Sequence, residues 1–405
     1  MNPPTITANA GIFLLLWPED HISIHLDRIR QDKVHTTAEI TVKSTLPGVP
    51  SHLHQARLNL TSTIARRDLV RVLTERAGMI DWYAAIEQTC KLVLERLRTG
   101  EPVIDMSSYS PPERLPYRVA PLIVERGTNL YFGLGGTGKT WLAQFFACLI
   151  SYPMDHAGFR PEPGKVLYLD YEDSPEIFEG RLQMIGNGLD MPKPDIFYRY
   201  CSSPLIHDVE EIQRIIIEHH LNMVVIDSVG LACGGEPEKA EPVLAYYQAL
   251  RSLRITSLSL DHMTKGGNQK QAYGNQYKMS QSRNAWEVVR GEASDDATLE
   301  MGLFHRKANH GMLHRPLGLT WTFIPDEMVT VHTQNPSNIV NVEDKMPLRL
   351  RISNVLSHGA MSIEAIAEEL QGTAPQVVRN TLNHHPTLFI KTPTGQWGLL
   401  SHPSS

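Results

Sequence analysis

The stretch YFGLGGTGKTW, residues 131–141, sets the fold. From Gly133 to Thr140 it matches G-x-x-x-x-G-K-[ST] in full. Gly133, Gly135, Gly136 and Gly138, with Thr137 among them, let the backbone curl so that its N–H groups face a phosphate. Lys139 supplies a cation to the terminal phosphates, and the Thr140 hydroxyl offers a ligand to magnesium. A helix that begins here turns its positive end towards the anion. The flanks fit: NLYFG before it reads as a buried strand, and TWLAQFFACLI, opening on Trp141, as an apolar helix. The cofactors expected are ATP and Mg2+. No N-K-x-D guanine reader and no LSGGQ signature occurs in the sequence.

Working outward, residues 119 to 335 alternate short apolar strands with helices. KVLYLDYE precedes SPEIFEGRLQMI, IFYRY precedes HDVEEIQRIIIEHH, and NMVVIDS precedes KAEPVLAYYQALRSL. That order predicts a parallel sheet covered on both faces, an α/β architecture. Strands delivered this way gather ligands at their C-terminal ends. NMVVIDS therefore places Asp227 as a second magnesium ligand beside Thr140. Ser228 follows Asp227, where many ATPases have a glutamate, so a base for the attacking water must come from elsewhere. The carboxylates of LDYED fill that need. Glu172 is the candidate base, with Asp170 and Asp173 as alternatives, and Asp173 equally suits capping the next helix.

These features in this order resemble the RecA-fold ATPases, and within them the plasmid RepA-type hexameric helicases and related phage ATPases. The likeness covers residues 119–325, about half of the chain. It implies a RecA-like sheet and a γ-phosphate sensor at the end of the strand LSLDH, at His262. It also implies a channel loop directly after it, and a basic pair reaching a neighbouring subunit's nucleotide, matched by Arg306 and Lys307. The segment from 262 to 283 carries no acidic residue and includes Lys265, Lys270, Tyr273, Lys278 and Arg283. Cations for phosphates and rings for bases suit single-stranded DNA. An ATP-driven homo-oligomer, a hexameric ring of the replicative-helicase kind, is the function this implies. A RecA-like recombinase or mediator, and an ATPase switch acting on a protein, are the alternatives.

The flanking parts read less sharply. Residues 1–100 alternate in strand fashion (HISIHLD, AEITVKS) and then show two helical stretches. In the second, Ile86, Cys90, Val93 and Leu97 form one apolar face. This is a small α+β unit whose role the residues do not disclose. Residues 101–118, with four prolines, read as a linker. Residues 346–402 give three helices and a hairpin, the order of a winged helix-turn-helix. Arg379, Asn380, Asn383 and Lys391 are placed to meet a groove, but Glu364, Glu368 and Glu369 oppose it. Docking of a replication protein or another partner is equally open for this module and for the N-terminal unit.

Bulk properties exclude several classes. The formal charge of −6, from 38 basic and 44 acidic residues, excludes a polybasic coat. Four scattered cysteines indicate neither a disulfide framework nor a zinc ribbon. No apolar run is long enough to span a membrane, so a reduced cytoplasmic setting is expected. His305, His310 and His314 lie close in sequence, but with no cysteine or carboxylate among them they make a poor metal set.

Overall fold

The computed structural model describes residues 2–9, 11–99, 103–110, 116–236, 239–263, 276–293 and 295–400. Its first part is a five-stranded antiparallel meander. The strands are β1 (Thr5–Asn9), β2 (Ile12–Trp17), β3 (Ile22–Gln31), β4 (Thr36–Ser44) and β5 (His52–Asn59). Alternation puts Ile24, Leu26, Ile40 and Val42 on one face. That face is covered by α1 (Thr63–Arg76) and α2 (Trp82–Thr99) through Leu69, Leu73, Ile86, Cys90 and Val93. Ser62 caps α1 by accepting from the Ala65 amide.

After β6 (Tyr117–Ala120) and β7 (Ile123–Val124) the strand–helix alternation begins. The elements are β8 (Thr128–Gly133), α3 (Lys139–Ser151), β9 (Arg160–Pro161), β10 (Val166–Asp170), α4 (Pro175–Gly188), β11 (Ile196–Tyr200) and α5 (Leu205–His219). They continue with β12 (Met223–Asp227), α6 (Val229–Ala232), α7 (Ala240–Ser252), β13 (Thr256–His262), α8 (Gln276–Gln281) and β14 (Asn284–Arg290). Three long strands follow: β15 (Thr298–Ala308), β16 (Leu317–Ile324) and β17 (Met328–Gln334). They form a nine-stranded sheet in the order β11-β10-β12-β13-β8-β14-β15-β16-β17. Every pair from β11 to β14 is parallel, and β15 to β17 extend the sheet antiparallel. The expected parallel sheet is present.

One strand differs from the sequence reading. β14 pairs parallel with the phosphate-loop strand β8, on the side opposite β13, yet the segment leading into it reads as loop. The β-prone run WEVV was the available signal.

Two apolar layers sandwich the sheet. Phe145, Phe146, Phe178 and Leu182 of α3 and α4 fill one side, and Ile212, Ile216, Val243 and Tyr247 of α5 and α7 the other. Helix α3 is apolar nearly all round because it is buried nearly all round. Arg214 of α5 reaches Asp27 of β3 at 2.6 Å, a contact between the first unit and the large sheet.

The chain ends in α9 (Leu348–Leu356), α10 (Ile363–Glu369), α11 (Pro375–His384) and the hairpin β18 (Phe389–Lys391) with β19 (Trp397–Leu399). Ile352, Ile366, Val378, Leu382 and Phe389 form a separate small core. No helix among the described residues is long and apolar enough to cross a membrane.

Candidate nucleotide site

The loop from Gly133 to Gly138 joins β8 to α3 and needs its glycines for two reasons. Gly138 has φ +87°, and a Cβ there would sit 2.7 Å from Leu299 and Met301. A Cβ on Gly133 would fall 2.2 Å from the Val288 carbonyl of the neighbouring strand β14. Lys139 is 5% exposed, and its Nζ donates to the Gly133 and Leu134 carbonyls at 3.2 and 2.9 Å. Burial lowers its pKa, and Asp227, Asp261 and Glu172 oppose that effect.

Register delivers the carboxylates. Asp170 and Asp227 end adjacent parallel strands as Cα partners, and His262 lies opposite Gly133. Thr140 Oγ1 and the Tyr168 hydroxyl each donate to Asp227 Oδ2 at 2.8 Å. Asp227 is 4% exposed, and burial raises its pKa to about 6. Two hard oxygen donors side by side, one on a buried carboxylate, suit Mg2+. Thr140 and Asp227 would hold that ion, which supplies charge neutralisation for the phosphates when bound. The peptide between Asp227 and Ser228 is cis.

The three acidic side chains of LDYED separate clearly. Asp170 Oδ1 accepts from the amides of Glu172 and Asp173 at 2.9 and 3.0 Å, so it shapes the turn. Asp173 pairs with Arg181 at 2.5 Å and makes no cap to α4. Glu172 alone turns towards Ser228, whose hydroxyl donates to its Oε1 at 2.5 Å. The same oxygen lies 3.3 Å from His262 Nε2. The His262 bond, with the Ser228 bond helping, holds the Glu172 carboxyl below its usual range against the opposing pull of burial. It is therefore ionised near neutral pH, the form a general base requires.

These groups line a cavity of about 510 Å³. Lys139, Thr140, Asp227, Glu172 and His262 form one end of it. Trp141, Leu299 and Phe323 form an apolar region, with the Trp141 and Phe323 ring centroids 5.1 Å apart. Sequence reasoning missed several residues of this cavity, among them Arg181, Arg290, Leu299 and Phe323, and the buried Tyr168 that bonds Asp227. Arg181 stacks 5.9 Å over Trp141, and Arg290 Nη1 donates to the Gly136 carbonyl at 3.1 Å.

Other expected residues lie elsewhere. Arg306 is held within its own chain: Nη2 is 2.6 Å from Glu287, and the guanidinium stacks 4.8 Å over Phe304. Lys307 Nζ donates to the Met279 and Ser280 carbonyls at 2.7 and 2.9 Å. Neither lines this cavity. Lys278, expected to face a DNA strand, is instead 0% exposed and bonded to Asp261. The reason is that Asp261 is itself buried and draws the nearest cation inward. Arg283 is exposed. Lys265, Lys270 and Tyr273 lie outside the described residues.

His305 and His314 stack with Trp286, at 4.3 Å between Trp286 and His305 and 5.4 Å between the two histidines. The His314 amide donates to His305 Nδ1, and Nε2 lies 2.7 Å from Asn284 Oδ1. This fixes His305 as the neutral tautomer with its proton on Nε2. Burial, and then the neighbouring His314, lower its pKa to about 4. The unfolded chain takes up a proton near pH 6.5 that the folded chain refuses. Stability from this group is therefore complete above 6.5 and is lost as pH falls towards 4. We expect the melting temperature to drop across that window, and a His305→Leu variant to show a shallower drop. Equal acid slopes for the two proteins would refute the assignment.

A family model described as an AAA domain matches residues 94–268. No curated protein matches the chain. Among solved structures, a KaiC-like protein of the hyperthermophilic archaeon Pyrococcus horikoshii OT3 is similar at 16% identity and a TM-score of 0.41. That alignment covers 55% of this chain and 100% of the other, a likeness that carries no argument about function. The phosphate loop and the order of the parallel strands around it lie within the region that the AAA-domain model matches, and they are similar to those of a P-loop ATPase domain.

Proposed function

We propose that the protein hydrolyses ATP and works as an oligomeric motor on single-stranded DNA, in the manner of a replicative helicase. The observation that carries the hydrolytic part is the convergence on one cavity of Lys139, Thr140 with Asp227, and Glu172 oriented by Ser228 and His262. Glu172 accepts the proton of the attacking water, while Lys139 and the amides of the loop hold the phosphates. His262 contacts Glu172 directly, so a change at the γ-phosphate is felt by the base and by the strand end that leads into residues 264–275.

The DNA part rests on the acid-free stretch 262–283 and on exposed Arg283. The oligomeric part rests on Arg306 and Lys307, which do not line the cavity of their own chain. To act across a subunit boundary, Arg306 has to leave Glu287. Lys345, 3.3 Å from Glu287, would then keep that buried carboxylate compensated. The terminal units, including a winged-helix reading of the last, are proposed to dock partners.

The test is ATP turnover with and without single-stranded oligonucleotide, alongside particle size with a non-hydrolysable ATP analogue. We expect DNA to raise turnover severalfold and nucleotide to drive assembly. Arg306→Ala should bind nucleotide normally but turn over about 10³-fold more slowly. A chain that stays monomeric and hydrolyses ATP at a rate indifferent to DNA would sink the motor reading and favour a switch acting on a protein.

A further inference from the structure

Strand β13 ends in two residues that point to opposite faces of the sheet. His262 faces the nucleotide cavity, with Nε2 3.3 Å from Glu172 Oε1. Asp261 faces the other layer and is 1% exposed. Lys278 of α8 answers it: Nζ donates to both Asp261 oxygens at 2.8 and 3.0 Å, and Lys278 is 0% exposed.

Helix α8 is itself fastened to its surroundings. Lys307 of β15 donates to the carbonyls of Met279 and Ser280, and Arg251 of α7 donates to Gln281 Oε1 at 2.7 Å. One residue pair back along β13, Ser259 bonds the buried Tyr246 hydroxyl at 2.7 Å. The rear of this strand end is therefore a fixed platform, and His262 stands on its front.

A buried ion pair is a poor device for stability alone, because an apolar pair of similar volume is often as stable. Its strength is geometric: two charge-assisted bonds hold two backbones in one register. The chain keeps such a pair one residue behind the side chain that touches the candidate base. We propose that Asp261 and Lys278 are a positioning pair for hydrolysis, fixing the end of β13 from behind so that His262 meets Glu172. This rests on the reading of Glu172 as the base.

The experiment compares Asp261→Asn and the double variant Asp261→Asn/Lys278→Met, each made in the wild-type chain and in a His262→Ala chain. Asparagine keeps the shape and one acceptor but leaves the buried Lys278 ammonium without the Asp261 counter-anion, so the double variant, which removes both buried charges together, carries the comparison. Melting temperature, affinity for a fluorescent ATP analogue, kcat and KM are measured on the full-length protein.

In the wild-type chain we expect the double variant's kcat to fall at least about tenfold, with nucleotide affinity within about twofold and the melting temperature kept, whereas Asp261→Asn alone also lowers the melting temperature. In the His262→Ala chain the same changes should leave kcat within about twofold, because the contact they serve is already gone. Equal losses in the two backgrounds, or wild-type kcat in a folded double variant, overturn the proposal. A Glu172→Gln chain that still turns over ATP at full rate overturns the underlying reading instead.

Discussion

Replacing Glu172 by glutamine is expected to cut ATP turnover by about 10²- to 10⁴-fold while nucleotide affinity stays within about threefold. The amide has the carboxylate's shape and can still accept from Ser228 and His262. It cannot take a proton from water. The loss should therefore fall on kcat, with KM nearly unchanged. The same variant in Asp170 or Asp173 should behave differently. Asp170 closes the turn through two backbone amides, and Asp173 holds Arg181, so their loss should lower stability or binding rather than the chemical step alone. Single-turnover hydrolysis with radiolabelled ATP separates these outcomes. Turnover by Glu172→Gln at the wild-type rate would remove it from the role of base.

Replacing Lys139 by alanine should eliminate turnover, by at least about 10³-fold, and should also weaken nucleotide binding. The ammonium lies across the loop and bonds the Gly133 and Leu134 carbonyls. It is buried near the carboxylates of Asp227 and Glu172, at the end of the phosphate loop. Removing it leaves those acidic groups facing a polyanion with no Lys139 cation between them. Nucleotide titration followed by tryptophan fluorescence reads the binding loss, since Trp141 lines the cavity. An alanine variant that binds and hydrolyses ATP as the wild type does would place the nucleotide elsewhere.

Some of this was written in the chain itself. The phosphate loop is legible because its chemistry is local: glycines, a lysine and a hydroxyl act within eight residues, and the backbone supplies the remaining donors. Asp227 and the LDYED carboxylates are legible because an apolar strand of a parallel sheet must deliver whatever follows it to the same edge. The alternation of strands and helices likewise declares a sheet covered on both faces.

Tertiary structure decided what depends on pairing between distant segments. It made Glu172, rather than Asp170 or Asp173, face Ser228 and His262, because those two partners stand at the ends of other strands, β12 and β13, distant in sequence. It drew Lys278 inward to Asp261 and Arg306 to Glu287, since a buried carboxylate captures a cation that composition alone would leave to solvent or DNA. It also brought Arg181, Arg290 and Phe323 to the cavity from three separate elements. Local chemistry can be read from neighbours along the chain, but the partner of a buried charge is chosen only when the layers pack.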